Sequence, residues 1–475
     1  MNGSLGVRNP RTGQIDYAIA PPGPGDLDAL AHRIREAQRA WCGRGLEARL
    51  EALRLWRDEL ARERDAVIEA LTVDTGRHGV SVLELDLVLW HLDRWCRLAP
   101  SLLADRGEQD SDVPTIKLRG SQVPYALVGI ISPWNFPLLL STLDTIPALV
   151  AGCAAIVKPS EIAPRFMRPL MRTIQAVDGL RDVLAFIEGA GETGSALIDR
   201  VDMICFTGSV ATGRKVAQAA ALRFIPSNLE LGGKDPAIVC GDADIELAAS
   251  AIVWGAVANT GQSCLSIDRV YVDAHVYDAF VEHVVARARG LALAYPGLDD
   301  GPIGPIIAER QATIIADHLA DAKARGAVVR CGGEVESLGG GWWCRPTVLT
   351  NVSHAMRVMT EETFGPIIPI MPFEGDDQAV HLANDTIFGL SAAVFSGDEA
   401  RALAIAARLD AGAISINDAA LTAVIHEGEK NAFRFSGMGE SRMGAASLRR
   451  FLRRKTYLIK KNAAANPWWF SEMNQ

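Results

Sequence analysis

The sequence predicts an α/β fold of two units built on parallel sheets, and three observations predict it. Short apolar runs at 126–131, 154–157, 184–187, 203–206 and 237–240 are separated by helix-length segments. That alternation places helices on both faces of a parallel sheet. Further strand-like runs, 269–272, 367–371 and 411–416, fall in a second unit from about 231 to 425. Finally, 475 residues exceed what one core serves, so two or three domains are expected.

From the N-terminus, Leu46, Leu50, Leu53, Trp56 and Leu60 recur at steps of three and four, the period of one buried helix face. The stretch 108–122 is polar, with alternation in Thr115-Ile116-Lys117-Leu118-Arg119, and reads as one or two exposed strands. The basic run Arg449-Arg450-Phe451-Leu452-Arg453-Arg454-Lys455 reads as a solvated helix face or a subunit contact. From Thr456 the tail reads as an extended strand that ends in Trp468-Trp469-Phe470. Free aromatics would be poorly soluble, so these three are expected to pack on this subunit or a neighbour.

Composition excludes several classes. Hydrophobic residues make up 49% and charged residues 22%, with a formal net charge of -9. No surface dense in Lys and Arg is evident, so no nucleic-acid partner is expected. No uncharged apolar run approaches the ~20 residues that span a bilayer, and 1–19 shows no secretory pattern. A cytoplasmic protein without a membrane partner is expected. Eight cysteines lie between Cys42 and Cys344 with no Cys-x-x-Cys pair, which argues against a metal site or a disulfide framework.

Parallel sheets bind ligands beyond the carboxyl ends of their strands, so the turns there are read for chemistry. Phe206-Thr207-Gly208-Ser209 opens a helix after a strand; unpaired N–H groups and the positive dipole end suit a phosphate. It matches neither a P-loop nor the Gly-x-Gly-x-x-Gly fingerprint, and a plain strand-to-helix turn is the other reading. Lys158-Pro159-Ser160-Glu161 leaves a lysine and a carboxylate past a strand. A carboxylate there can accept ribose hydroxyls and repel a 2′-phosphate; otherwise it is a surface turn. In Ile131-Ser132-Pro133-Trp134-Asn135-Phe136-Pro137 a buried amide must find partners, either backbone or a developing oxyanion. Glu230 precedes Leu231-Gly232-Gly233-Lys234, and Cys264 follows Gly261-Gln262-Ser263: a candidate base and a candidate nucleophile.

Together these segments resemble the aldehyde dehydrogenase superfamily over nearly the whole chain. Pro-Trp-Asn-Phe-Pro, Lys-Pro-Ser-Glu, Phe-Thr-Gly-Ser, Glu-Leu-Gly-Gly-Lys, Gly-Gln-x-Cys and Glu362-Thr363-Phe364-Gly365-Pro366 occur in the family's order. The resemblance implies two Rossmann-like α/β domains plus a β oligomerisation hairpin. The dinucleotide-binding domain would span 1–108 and 125–232, and the catalytic domain 233–430. Residues 109–124 and 445–475 would form the oligomerisation element and tail of a homodimer or homotetramer.

By position, the resemblance makes Cys264 the nucleophile, Asn135 with the Cys264 N–H the oxyanion site, and Glu230 the base for hydrolysis. It assigns Lys158 and Glu161 to the adenosine ribose, Ser209 to the pyrophosphate, Glu362 to the nicotinamide ribose and Phe364 to the nicotinamide. Ile131, Ser132, Pro133, Trp134, Ser160, Gly191, Phe206, Thr207, Gly208, Leu231 and Gly232 would complete the cofactor site. The implied cofactor is NAD, with NADP less favoured. Two departures stand out: Asp144 occupies the place of a proton-relaying lysine, and Lys-x-Ser-Gly-x-Gly-Arg-Glu becomes Arg434-Phe435-Ser436-Gly437-Met438-Gly439-Glu440-Ser441.

The chemistry asks for such groups. Adding a thiolate to an aldehyde gives a tetrahedral alkoxide that loses hydride readily, and a base must then hydrolyse the thioester. Glu230 favours hydrolysis over transfer to coenzyme A, the acceptor of an acylating semialdehyde dehydrogenase. Cys264 speaks against a binding protein that has lost catalysis. Phe136, Leu139, Leu140, Leu143, Ser263 and Leu265 are expected to line the substrate pocket. With no arginine among them, a hydrophobic or aromatic aldehyde is expected.

Overall fold

The computed structural model describes residues 4–463, 466, 468 and 469. Four helices, Pro24–Gly43, Gly45–Arg62, Arg64–Thr75 and His78–Leu102, come first. On the second, Leu50, Leu53, Trp56 and Leu60 are fully buried, as their spacing predicts, while Leu46 is half-buried. The indole of Trp56 donates to Thr173 Oγ1 at 3.0 Å, and that of Trp41 to the Leu149 carbonyl at 3.0 Å, so both rings bury without an orphaned N–H.

These helices cover a six-stranded sheet. Its order is Leu184–Phe186, Ala154–Lys158, Leu127–Ile131, Met203–Thr207, Ser227–Glu230 and Gly437–Met438. The first five strands are parallel and the last is antiparallel. Strand order reverses between Leu127–Ile131 and Met203–Thr207, the point where such sheets open a crevice. Gly437 pairs with Glu230; a Cβ on Gly437 would lie 2.2 Å from the Leu229 carbonyl. This strand arrives from about 200 residues away, and no local pattern announces it.

The second sheet has seven strands: Val328–Cys331, Thr347–Thr350, Ile367–Phe373, Ile267–Asp273, Asp235–Val239, Ser391–Phe395 and Ala413–Ile416. Only the first pair is antiparallel. The run at 237–240, which follows the first series in sequence, belongs here. Apolar clusters cover both faces of this sheet, which explains its near-continuous apolar strands.

A third, antiparallel sheet joins Glu108–Asp110, Ile116–Pro124 and Leu452–Lys460. The polar excursion is therefore strand, as its alternation predicts. The tail strand starts at Leu452 rather than Thr456, and the basic run is not a solvated helix face. Only Ala446–Arg449 is helical, Leu452 onward is strand, and Arg450 is buried against Asp144. Partnered burial of one guanidinium splits the run. Trp469 lies under the Lys460 ammonium at 4.2 Å, whereas Trp468 is exposed; Phe470 lies outside the described residues. Among the described residues, no helix is long and apolar enough to cross a membrane.

Candidate active site

The two sheets present opposite ends to one cleft. Ser132, Lys158, Thr207 and Glu230 stand at carboxyl ends of the six-stranded sheet, whereas Cys264 and Glu362 precede strands of the seven-stranded one. The cleft has a volume of about 970 Å³. It gathers Asn135, Glu230 and Cys264 with Ile131, Ser132, Pro133, Trp134, Lys158, Ser160, Glu161, Gly191, Phe206, Thr207, Gly208, Ser209, Leu231, Gly232, Glu362 and Phe364. Of the six pocket candidates, only Leu140 lines it. Phe136, Leu139, Leu143, Ser263 and Leu265 do not; each is half-buried. On the helix Pro137–Ala151, Leu139, Leu140 and Leu143 are the positions left partly open, one apolar stripe at helical spacing.

Asn135 is held by Gln262 of the Gly-Gln-x-Cys segment and by two groups that the sequence pattern did not single out. Its side-chain N–H donates to the Gln262 carbonyl at 3.0 Å, and its own carbonyl accepts from Arg77 and from Asn259 at 3.0 and 3.1 Å. A side-chain amide carries two N–H donors, so one remains for a ligand. Glu84 accepts the N–H groups of Leu138 and Leu139, each at 3.1 Å, and so caps the helix that Asn135 leads into. Burial pushes the Glu84 carboxyl up to about 7, against the pull of those N–H groups and Arg77.

The cysteine loop is equally fixed. Gln262 is fully buried; its Oε1 accepts the Ile307 N–H at 2.9 Å and its amide donates to the Pro305 carbonyl at 3.1 Å. Gly261 takes φ 66° where a Cβ would sit 2.3 Å from the Gly365 carbonyl, so only glycine fits. Cys264 follows two residues after Gln262, whose carbonyl Asn135 binds, and its backbone N–H donates to no group among the described residues. Burial, then Glu362 and Glu230, push the thiol up to about 12, with Lys430 opposing. The resting sulfur is protonated near pH 7, so a base is needed to make it a nucleophile.

Glu362 accepts the Gly233 N–H at 3.2 Å, and a Cβ on Gly232 would lie 2.6 Å from both its oxygens. Burial pushes this carboxyl up to about 7. Phe364, at φ 53°, meets Trp134 edge to face at 5.5 Å. On the opposite wall the Lys158 ammonium donates to the Gly189 carbonyl at 2.8 Å and lies 3.6 Å from Glu161. Its pKa is lowered by burial, with Glu161 partly offsetting this. Ser209 caps the helix Val210–Leu222. Among the described residues the buried Ser132 hydroxyl has no partner, an orphan that a bound polar ligand would satisfy. These walls fit a nicotinamide dinucleotide.

Asp144, the first departure, is buried and takes both Arg442 and Arg450. Burial alone would raise its carboxyl; the two guanidiniums hold it near 2. Arg442 also donates to Thr207 Oγ1 and faces Glu230 electrostatically. An anion thus replaces the expected lysine, but a cation is returned to the same place by Arg442. In the second departure, Ser441 Oγ accepts the N–H groups of Lys430 and Met443 at 3.0 and 3.1 Å.

The model of the aldehyde dehydrogenase family matches residues 2–458. The solved structure of "Putative Aldehyde Dehydrogenase PutA" from Anabaena variabilis is 60% identical, with a TM-score of 0.98 over 99% of this chain and 100% of that one. Betaine aldehyde dehydrogenase from Staphylococcus aureus, solved with NAD+, is 29% identical, with a TM-score of 0.91 over 99% of this chain and 94% of that one. A "Putative succinate-semialdehyde dehydrogenase [NADP(+)]" from Mycolicibacterium smegmatis is 35% identical over 93% of this chain and 86% of its own length. The chain belongs to the aldehyde dehydrogenase family and is an NAD(P)-dependent oxidoreductase acting on aldehydes.

Proposed function

We propose that the chain oxidises an aldehyde to a carboxylic acid through a thioester on Cys264, which water then hydrolyses. The observation that carries this reading is the Asn135–Gln262 hydrogen bond, which ties the amide to the cysteine loop at the mouth of the dinucleotide cleft. A nicotinamide dinucleotide supplies the two-electron oxidant when bound. Ser132, Lys158, Glu161, Ser209 and Glu362 hold it.

The sulfur needs a base, since its thiol sits near 12. That proton passes to water as the sulfur adds to the carbonyl, and Glu230, in the same cleft, then takes a proton from the water that attacks the thioester. The free N–H of Asn135 and the Cys264 N–H receive the alkoxide; losing one such donor typically costs ~2.7–4 kcal/mol of transition-state stabilisation. The hydrocarbon part of the aldehyde lies against Leu140, which lines the cleft, and the half-buried Leu139 and Leu143 of the same helical stripe.

Glu161 beside Lys158 favours NAD over NADP, because a carboxylate at the ribose repels a 2′-phosphate. The exposed edge strand Leu452–Lys460, with Leu458 at 73% exposure, is the surface for self-association. The eight cysteines are free thiols, which favours a reducing cytoplasm. The test is Glu230→Gln with NAD+ and an aldehyde. It should release about one NADH per site as a burst and then turn over roughly a hundredfold more slowly; unchanged steady turnover contradicts the proposal.

A further inference from the structure

Between Glu362 and Phe364, which both line the cleft, Thr363 is buried and turned away from it. Three side chains converge on this residue. The buried Lys234 ammonium donates to Thr363 Oγ1 at 3.2 Å, and His318 Nδ1 lies 3.1 Å from the same oxygen. The Gln311 amide donates to the Thr363 carbonyl at 2.6 Å. Gln311 and His318 belong to one helix, Glu309–Ala324, and their spacing puts them on one face of it.

The hydrogen-bond directions follow from the groups. An ammonium can only donate, so the Thr363 oxygen accepts from Lys234 and gives its single proton to His318 Nδ1. The imidazole then carries its own proton on Nε2, 3.4 Å from Glu361. It must be neutral to accept, and burial, then Lys234 and Arg357, push it down to about 4. Only a hydroxyl at position 363 can both accept from the lysine and donate to the ring.

The segment around Thr363 touches both sides of the reaction. The Gly365 carbonyl packs against Gly261 of the cysteine loop, where a Cβ would sit 2.3 Å away. Phe364, at φ 53°, meets Trp134 edge to face; a bulky residue keeps such a backbone only where its surroundings fix it. We propose that Thr363 is a positioning residue for hydride transfer. Pinned by Lys234, His318 and Gln311, it holds Glu362 and Phe364, and with them the nicotinamide, in register with the carbon carried on Cys264. There the tetrahedral alkoxide carbon gives up a hydride to the oxidised ring as its oxygen re-forms the carbonyl of the thioester. This rests on the dehydrogenase reading above. Lys158 and Ser209 hold the other end of the cofactor, so the hub governs rate more than affinity.

The test follows the first turnover of NADH formation with butanal and with butanal deuterated at its aldehyde carbon. It compares the wild type, Thr363→Val and Thr363→Ser, with NAD+ affinity read by calorimetry. Thr363→Val keeps the shape and removes the hydroxyl; it should slow the first turnover at saturating NAD+ roughly ten- to hundredfold. Its deuterium isotope effect should rise, because hydride transfer then limits, while NAD+ affinity changes by less than about threefold. Thr363→Ser should restore both rate and isotope effect. His318→Leu removes the acceptor of the hydroxyl and should repeat the valine pattern more weakly, which decides the matter if Thr363→Val fails to fold. A wild-type rate in either variant, or a loss that serine shares equally, would overturn the proposal. So would a slower turnover accounted for by weaker NAD+ binding alone. No NADH from the wild type would instead sink the dehydrogenase reading itself.

Discussion

The six-stranded and seven-stranded sheets are both α/β layers, yet they meet the cleft in opposite ways. The first offers strand carboxyl ends, where helix N-termini and open turns gather: Ser132, Lys158, Thr207 and Ser209. The second offers strand amino ends, with Cys264 before Ile267–Asp273 and Glu362 before Ile367–Phe373. A dipole-rich edge suits an anionic cofactor. Cys264 lies away from such an edge, on a loop fixed by tertiary contacts. Gln262, Asn259 and Arg77 supply the fixing through buried hydrogen bonds, and Glu230 lines the same cleft from the facing sheet.

That contrast can be broken by separating binding from chemistry. The largest effect is expected for Cys264→Ala, which should lower turnover by at least roughly a thousandfold while dinucleotide binding, read by calorimetry, persists. Loss of both together would mean that the two edges are not separate.

Next comes the sulfur's protonation. Because the Cys264 thiol is raised to about 12, its thiolate fraction, and so its alkylation by iodoacetamide, should climb about tenfold per pH unit from pH 7 to 10. A plateau beginning near neutrality would contradict the burial argument.

Asn135→Ala probes the seam between the sheets. It should lower kcat by roughly 10²–10³-fold with little change in cofactor affinity. The smallest effect belongs to the cradle: Glu161→Ser should raise kcat/KM with NADP+ by about tenfold and leave aldehyde preference unchanged. A shift in aldehyde preference would join what the contrast keeps apart.

The same contrast explains what was legible in the sequence. Strand alternation and the rule that ligands bind past carboxyl ends pointed to the turns that hold Ser132, Lys158 and Ser209, with plain turns as the other reading, because their sheet turns its carboxyl ends toward the cleft. Cys264 and Glu362 lie at the other kind of end, so only the ordered motifs reached them. Arg77 and Glu84 were missed for a different reason. Each acts through tertiary contacts with residues tens or hundreds of positions away, as when Glu84 caps Leu138 and Leu139. Asp144 was marked as a departure, but its partner Arg442 is 298 residues distant, beyond any local pattern.

The most direct test of the covalent route is an intact-mass measurement. Glu230→Gln, mixed with NAD+ and butanal and quenched in acid, should carry one butanoyl group per chain, and peptide mapping should place it on Cys264. An acid-quenched protein that has formed NADH but carries no acyl group, or carries it on another of the eight cysteines, would contradict the account.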